Sequence, residues 1–150
     1  MSEKMSENVF RSYKKQLIKK LGKKGLYDTD INTVGKELFK TKWLGCHASD
    51  KIVVSKIGYQ ILNVDTSKQA GSHWIGIYTT HKNCYIYDSF GRPSSKLIRN
   101  VTQKLRKKGI KIYDSDPDAE QRGNSEICGQ LSLSWLMVVK ILGIKNAMLI

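Results

Sequence analysis

Apolar positions along this chain change period several times, and each change marks an element. Val9, Phe10, Tyr13, Leu17 and Leu21 recur at helical spacing between Ser6, a candidate cap, and Gly22, a stop, which predicts an amphipathic helix over residues 6–21. Thr29 or Asp30 can cap a short second helix carrying Ile31, Val34, Leu38 and Phe39, whereas TKWLGCHASDK shows neither period and reads as loop. Residues 52–64 are rich in β-branched and aromatic side chains, predicting one or two strands, and DTSKQAGS is a polar turn.

HWIGIYTT and CYIYDS alternate as strands do, and HKN between them has the length of a hairpin loop. In an antiparallel pair the start of one strand lies beside the end of the next, so His73 and Asp88 are expected to meet across the sheet. FGRPSS is a turn, after which Leu97, Ile98, Val101 and Leu105 form the stripe of a helix that Gly109 ends. KIYDSD predicts another strand and PDAEQRGNSE a polar loop. The nearly all-apolar ICGQLSLSWLMVVKILG predicts a central helix with Cys128 at its start. The order predicts an α+β fold, a mainly antiparallel sheet packed against that last helix.

With 150 residues, 40% of them hydrophobic, the chain suits one domain, a helical part over 1–40 and a core over 41–150. It has no apolar run of about 18 residues, and MSEKMSENVFRSYKKQ lacks the apolar stretch of a secretory signal. The expectation is a protein that is not secreted and has no membrane partner. Three cysteines, Cys46, Cys84 and Cys128, show no metal-finger spacing, which argues against a disulfide framework or a structural metal.

Charge changes the picture. Twenty-six basic residues stand against 13 acidic ones, a formal +13, and Arg92, Lys96, Arg99, Lys104, Arg106, Lys107, Lys108 and Lys111 fall in one acid-free stretch. A solvated helix face would explain an ordinary run of this kind. With this total charge, a polyanion such as DNA is the expected partner.

The candidate chemistry is that of a thiol protease, which needs a thiolate, an imidazole to activate it, a carboxylate to orient the ring and a donor for the oxyanion. His73, Asp88, Gln121 and Cys128 supply one candidate each, and the free N–H groups at a helix start favour a thiolate at Cys128. Each has a plainer reading: a small buried thiol, a structural histidine, a turn-capping aspartate, a surface glutamine. Cys46 and His47 are sequence neighbours on a predicted loop and read as structural. Cys84, Trp43 and Trp135 read as core, and His81 as a solvent-facing hairpin residue.

From KWLG at 42–45 through QILNVDTSKQAGSHW and NCYIYDSFG to QRGNSEICG, the chain resembles the adenain-like cysteine proteases. These comprise the adenovirus maturation protease and the related viral and SUMO-deconjugating enzymes. The resemblance covers roughly residues 40–140. It implies His73 as base, with Gly71 and Trp74 beside the substrate, Cys128 as nucleophile and Gln121 as oxyanion donor. Asp88 stands where adenain has a glutamate, as in the SUMO-deconjugating branch. KIYDSDPDAE lacks the cysteine that links adenain to its activating peptide, and the chain ends before adenain's additional C-terminal helices are expected.

The resemblance implies cleavage of viral capsid and core precursors after small residues such as glycine, in the virion interior and in the host cell's virus factory or nucleus. The chemistry itself needs no cofactor, with DNA or an activating peptide as candidate stimulators. A protease acting on a ubiquitin-like modifier is the alternative enzyme, and a basic DNA-packaging protein the alternative without catalysis.

Overall fold

The computed structural model describes residues 3–65, 73–115, 119–121 and 126–150. Helices α1 (Glu3–Leu21) and α2 (Asp28–Phe39) form the N-terminal part. The N-terminus of α2 is closed by Asp30, whose carboxylate accepts the Tyr27 N–H at 3.0 Å, while Asp28 adds negative charge to the first turn.

Five strands make one sheet in the order β1 (Trp43–Ala48), β2 (Gly58–Asn63), β3 (Trp74–Thr79), β4 (Asn83–Tyr87) and β5 (Lys111–Asp114). The central three run antiparallel and the two edge strands join them in parallel. Strand β1 corrects the loop expected for TKWLGCHASDK. All six of its residues are half-buried, so no alternation shows in the sequence, and it is held partly from outside the sheet. The Asn32 side-chain oxygen on α2 accepts both the Cys46 N–H and the Trp43 indole N–H at 3.1 Å.

The helix expected after Pro93 is two, α3 (Ser94–Leu97) and α4 (Arg99–Lys107), because buried Ile98 leaves helical geometry at φ −134° and ψ 53°. A short α6 (Ile144–Ala147) follows the long α5 (Cys128–Leu142) and was not legible in the pattern. No helix among the described residues is long and apolar enough to cross a membrane.

Alternation along the strands divides two cores. Ile61 and Tyr87 pack toward α1, α2 and α5, while Leu62, Ile75, Ile77, Cys84 and Ile86 pack toward Ile98, Val101 and Leu105. Helix α5 is buried from Cys128 to Val139, lying between the sheet and α1, which is why it is apolar on every side. Its approach depends on Gly76 in β3. A β-carbon there would lie 3.3 Å from the Ser132 carbonyl oxygen and 3.4 Å from the Trp135 ring. Trp135 then stacks on Tyr87 at 5.4 Å between centroids, and the Ser132 hydroxyl donates to the Trp74 carbonyl at 3.3 Å. These contacts set the first turn of α5 beside the first residue of β3.

Candidate active site

The hairpin register pairs Gly76 with Tyr87, so His73 and Asp88 lie at the same end of the sheet. The meeting expected from alternation occurs: His73 Nε2–H donates to Asp88 Oδ1 at 2.5 Å, with only 10% of the His73 side chain and 1% of the Asp88 side chain exposed. With Nε2 committed to the carboxylate, Nδ1 is the ring nitrogen left for Cys128, to which His73 is also hydrogen-bonded. Cys128 opens α5, and its sulfur accepts the Trp74 backbone N–H at 3.4 Å. Thiol, imidazole and carboxylate thus come from α5, the lead into β3 and the exit from β4.

Burial alone would lower the His73 pKa, but hydrogen bonds with Asp88 and Cys128, and the charges of both, outweigh it and raise the value to about 9. Burial would likewise raise Asp88, yet hydrogen bonds from His73 and Arg92 hold it down to about 2. At neutral pH the arrangement therefore favours an imidazolium held by a carboxylate. The other two thiols sit differently. Burial, with smaller contributions from Asp28 and Asp114 respectively, pushes Cys46 and Cys84 up to about 12.

The turn after β4 does more than the sequence disclosed. Asp88 Oδ2 accepts the Arg92 backbone N–H at 2.9 Å and its Nε–H at 3.0 Å, while Oδ1 takes His73 at 2.5 Å and, at 3.5 Å, the Arg92 Nη2. Gly91, at φ 71°, reverses the chain so that its own N–H reaches the Asp88 carbonyl at 2.9 Å. Phe90 lies between charge and ring, 5.3 Å from the His73 ring and 4.9 Å from the Arg92 guanidinium carbon.

Gln121 is 3% exposed and is also held by this turn: its backbone N–H donates to the Ser89 carbonyl at 3.0 Å and its Oε1 accepts the Ser89 hydroxyl at 2.5 Å. Trp74 anchors the opposite side through its indole N–H, which donates to the Leu26 carbonyl between α1 and α2 at 2.9 Å. Gln130 pins the same connection, its amide donating to the Gly22 and Lys24 carbonyls at 2.9 Å. Gly71 lies outside the described residues.

No family model matches the chain. In an alignment of 98 positions that covers 59% of the chain, it is 33% identical to a protein of Acanthamoeba polyphaga mimivirus named "Putative thiol protease". That stretch is 32% of the viral protein, so the chain spans about a third of its relative. The similarity is thus to a viral protein whose name is that of a cysteine protease.

The basic stretch lies apart from this cluster. Lys96, Arg99, Lys104, Arg106, Lys107, Lys108 and Lys111 are exposed, while Val101 and Leu105 turn α4 toward the sheet, so the helix presents an outward basic face. Arg92, the eighth residue of that stretch, has its guanidinium on Asp88. Ser89, Arg92 and Gln130 are the site residues that reasoning from sequence missed as such. Arg92 falls within a charge run, and no spacing rule singles out a serine after an aspartate or a glutamine two residues into a helix.

Proposed function

We propose that this chain is an adenain-like cysteine endopeptidase with a Cys128, His73 and Asp88 triad. The observation that carries the reading is the position of Cys128 Sγ, bonded to the Trp74 N–H and to an imidazole whose other nitrogen is fixed on a buried carboxylate. The similarity to a viral protein named as a thiol protease supports the same chemistry.

His73 Nδ1 takes the Cys128 proton, Asp88 holds the ring orientation, and the resulting thiolate attacks the scissile carbonyl. Gln121 and the Cys128 backbone N–H stabilise the oxyanion, where loss of one donor costs about 10²- to 10³-fold in rate. The imidazolium gives its proton to the leaving amine, leaving a thioester and a neutral ring. His73 then takes a proton from the water that hydrolyses the thioester and returns it to the departing Cys128 sulfur, releasing the acid and restoring the starting state.

The substrates are viral capsid and core precursors, cut after small residues such as glycine beside Gly71 and Trp74 during virion maturation, in the virion and the infected cell. Viral DNA is the polyanion for the basic face of α4, and no cofactor enters the chemistry. The test is cleavage of glycine-containing precursor peptides and of a ubiquitin-like fusion, each with and without DNA at low and moderate salt. Precursor peptides are expected to be cut and the fusion spared, with DNA binding and stimulation falling steeply as salt displaces the protein from phosphates. Preference for the fusion would favour the deconjugating alternative. Binding indifferent to salt would remove the electrostatic role of α4.

A further inference from the structure

We infer that Arg92 is a positioning residue, whose side chain fixes the plane of the Asp88 carboxylate and through it the His73 ring. The inference rests on the protease reading and gives a task at the site to a residue that its place in the chain put with the basic stretch. The torsion that turns a carboxylate about its last carbon–carbon bond is soft, so burial alone does not set which way the two oxygens face. Asp88 needs that setting, because its side chain is only 1% exposed and the ring it orients takes Oδ1 alone, at 2.5 Å. Arg92 supplies it. The Nε–H donates to Oδ2 at 3.0 Å and Nη2 reaches Oδ1 at 3.5 Å, so the planar fork spans both oxygens. Polarity admits no second arrangement here: a guanidinium only donates and an ionised carboxylate only accepts.

The turn holds the fork in place. The Arg92 backbone N–H donates to Oδ2 at 2.9 Å, which starts the side chain beside its target, and the guanidinium carbon lies 4.9 Å from the centroid of the Phe90 ring. Phe90 in turn lies 5.3 Å from the His73 ring. The guanidinium is thus held between a carboxylate and an aromatic ring, yet 46% of the Arg92 side chain is exposed, so little of the core depends on it. The backbone N–H remains with any side chain but proline. A substitution therefore removes the fork and the counter-charge but keeps the bond that closes the turn.

Without the fork the carboxylate turns more freely, and His73 loses a fixed acceptor in the step where its ring must face Cys128. Ring orientation bears on proton transfer and not on the holding of substrate, so the loss belongs in kcat rather than KM. It is smaller than the loss from replacing the carboxylate itself, about 10⁴-fold in a serine protease triad, since Oδ2 keeps one donor and the carboxylate keeps its charge.

The test is a double-mutant cycle on the full chain, with Arg92→Ala, Asp88→Asn and the double variant assayed by peptide hydrolysis alongside Cys128→Ala. Arg92→Ala is expected to lower kcat roughly 10- to 100-fold with KM unchanged, a part of the carboxylate's own effect. In the Asp88→Asn background the same change is expected to cost less than about twofold, because the charge through which Arg92 acts is gone. Arg92→Lys, which keeps the charge without the fork, is expected to fall between Arg92→Ala and the unsubstituted chain. A merely structural role would give equal losses in both backgrounds, and a contact with substrate would put the loss in KM. Either result, or no loss in either background, would overturn the inference. Should Arg92→Ala melt below the assay temperature, Arg92→Met, with an unbranched side chain and no donor, takes its place in the cycle with the same outcomes. Absence of turnover by the unsubstituted chain, or turnover that survives Cys128→Ala, would instead overturn the protease reading and this inference with it.

Discussion

Cys128→Ala is expected to abolish peptide hydrolysis while leaving the melting temperature and DNA binding close to those of the unsubstituted chain. No other thiol is placed to replace it: Cys46 and Cys84 are held as neutral thiols by burial, with pKa values pushed to about 12. His73→Ala is expected to cost nearly as much, since nucleophile and base act as a unit, and in comparable enzymes removal of either costs about 10⁶-fold in kcat. Combining the two substitutions should therefore add almost nothing. Steady-state kinetics on one glycine-containing peptide checks all three variants. A His73→Ala protein retaining more than about a tenth of the activity would contradict the assignment of the base.

Asp88→Asn carries the second large effect, and it is expected in activity and stability together. An amide in place of the carboxylate offers His73 Nε2–H a weaker acceptor and Arg92 no counter-charge, and it permits the wrong ring tautomer. The corresponding change in a serine protease triad lowers kcat about 10⁴-fold. Removing one member of a buried pair also leaves the other uncompensated, typically at a cost of about 3–5 kcal/mol.

The pH dependence of this cost follows from the direction of each shift. Asp88 is lowered from an ordinary 3.8 to about 2, so its contribution is complete above 3.8 and is lost as pH falls through about 2. His73 is raised from 6.5 to about 9, so its contribution is complete below 6.5 and is lost as pH rises through about 9. The stability gap between the unsubstituted protein and Asp88→Asn should accordingly be widest between pH 3.8 and 6.5 and narrow on both sides. Denaturant titrations across pH measure it, and a gap independent of pH would show that the pair is not charged in the folded protein.

Much of this site was legible because it sits on strongly patterned elements. Two alternating runs separated by HKN specified the hairpin, and the hairpin alone brought His73 to Asp88. The unbroken apolar stretch after Ile127 likewise specified a buried helix with Cys128 at its start. Strand β1 was hidden because an edge strand with every residue half-buried shows no period, and its hold on Asn32 is a tertiary contact. The break at Ile98 was hidden because its side chain fits the same apolar stripe whether the helix bends there or not. In the site, Ser89 and Arg92 escaped notice because their roles come from the turn after β4: a charged side chain in a basic run gives no sign that it folds back on a carboxylate four residues earlier.

Cys128 as the nucleophile is put to the test by labelling the native protein with a peptide vinyl sulfone ending in glycine and mapping the modified residue by mass spectrometry. One adduct is expected, on Cys128, and it fails to form in His73→Ala. Modification of Cys46 or Cys84 in preference to Cys128 would contradict it.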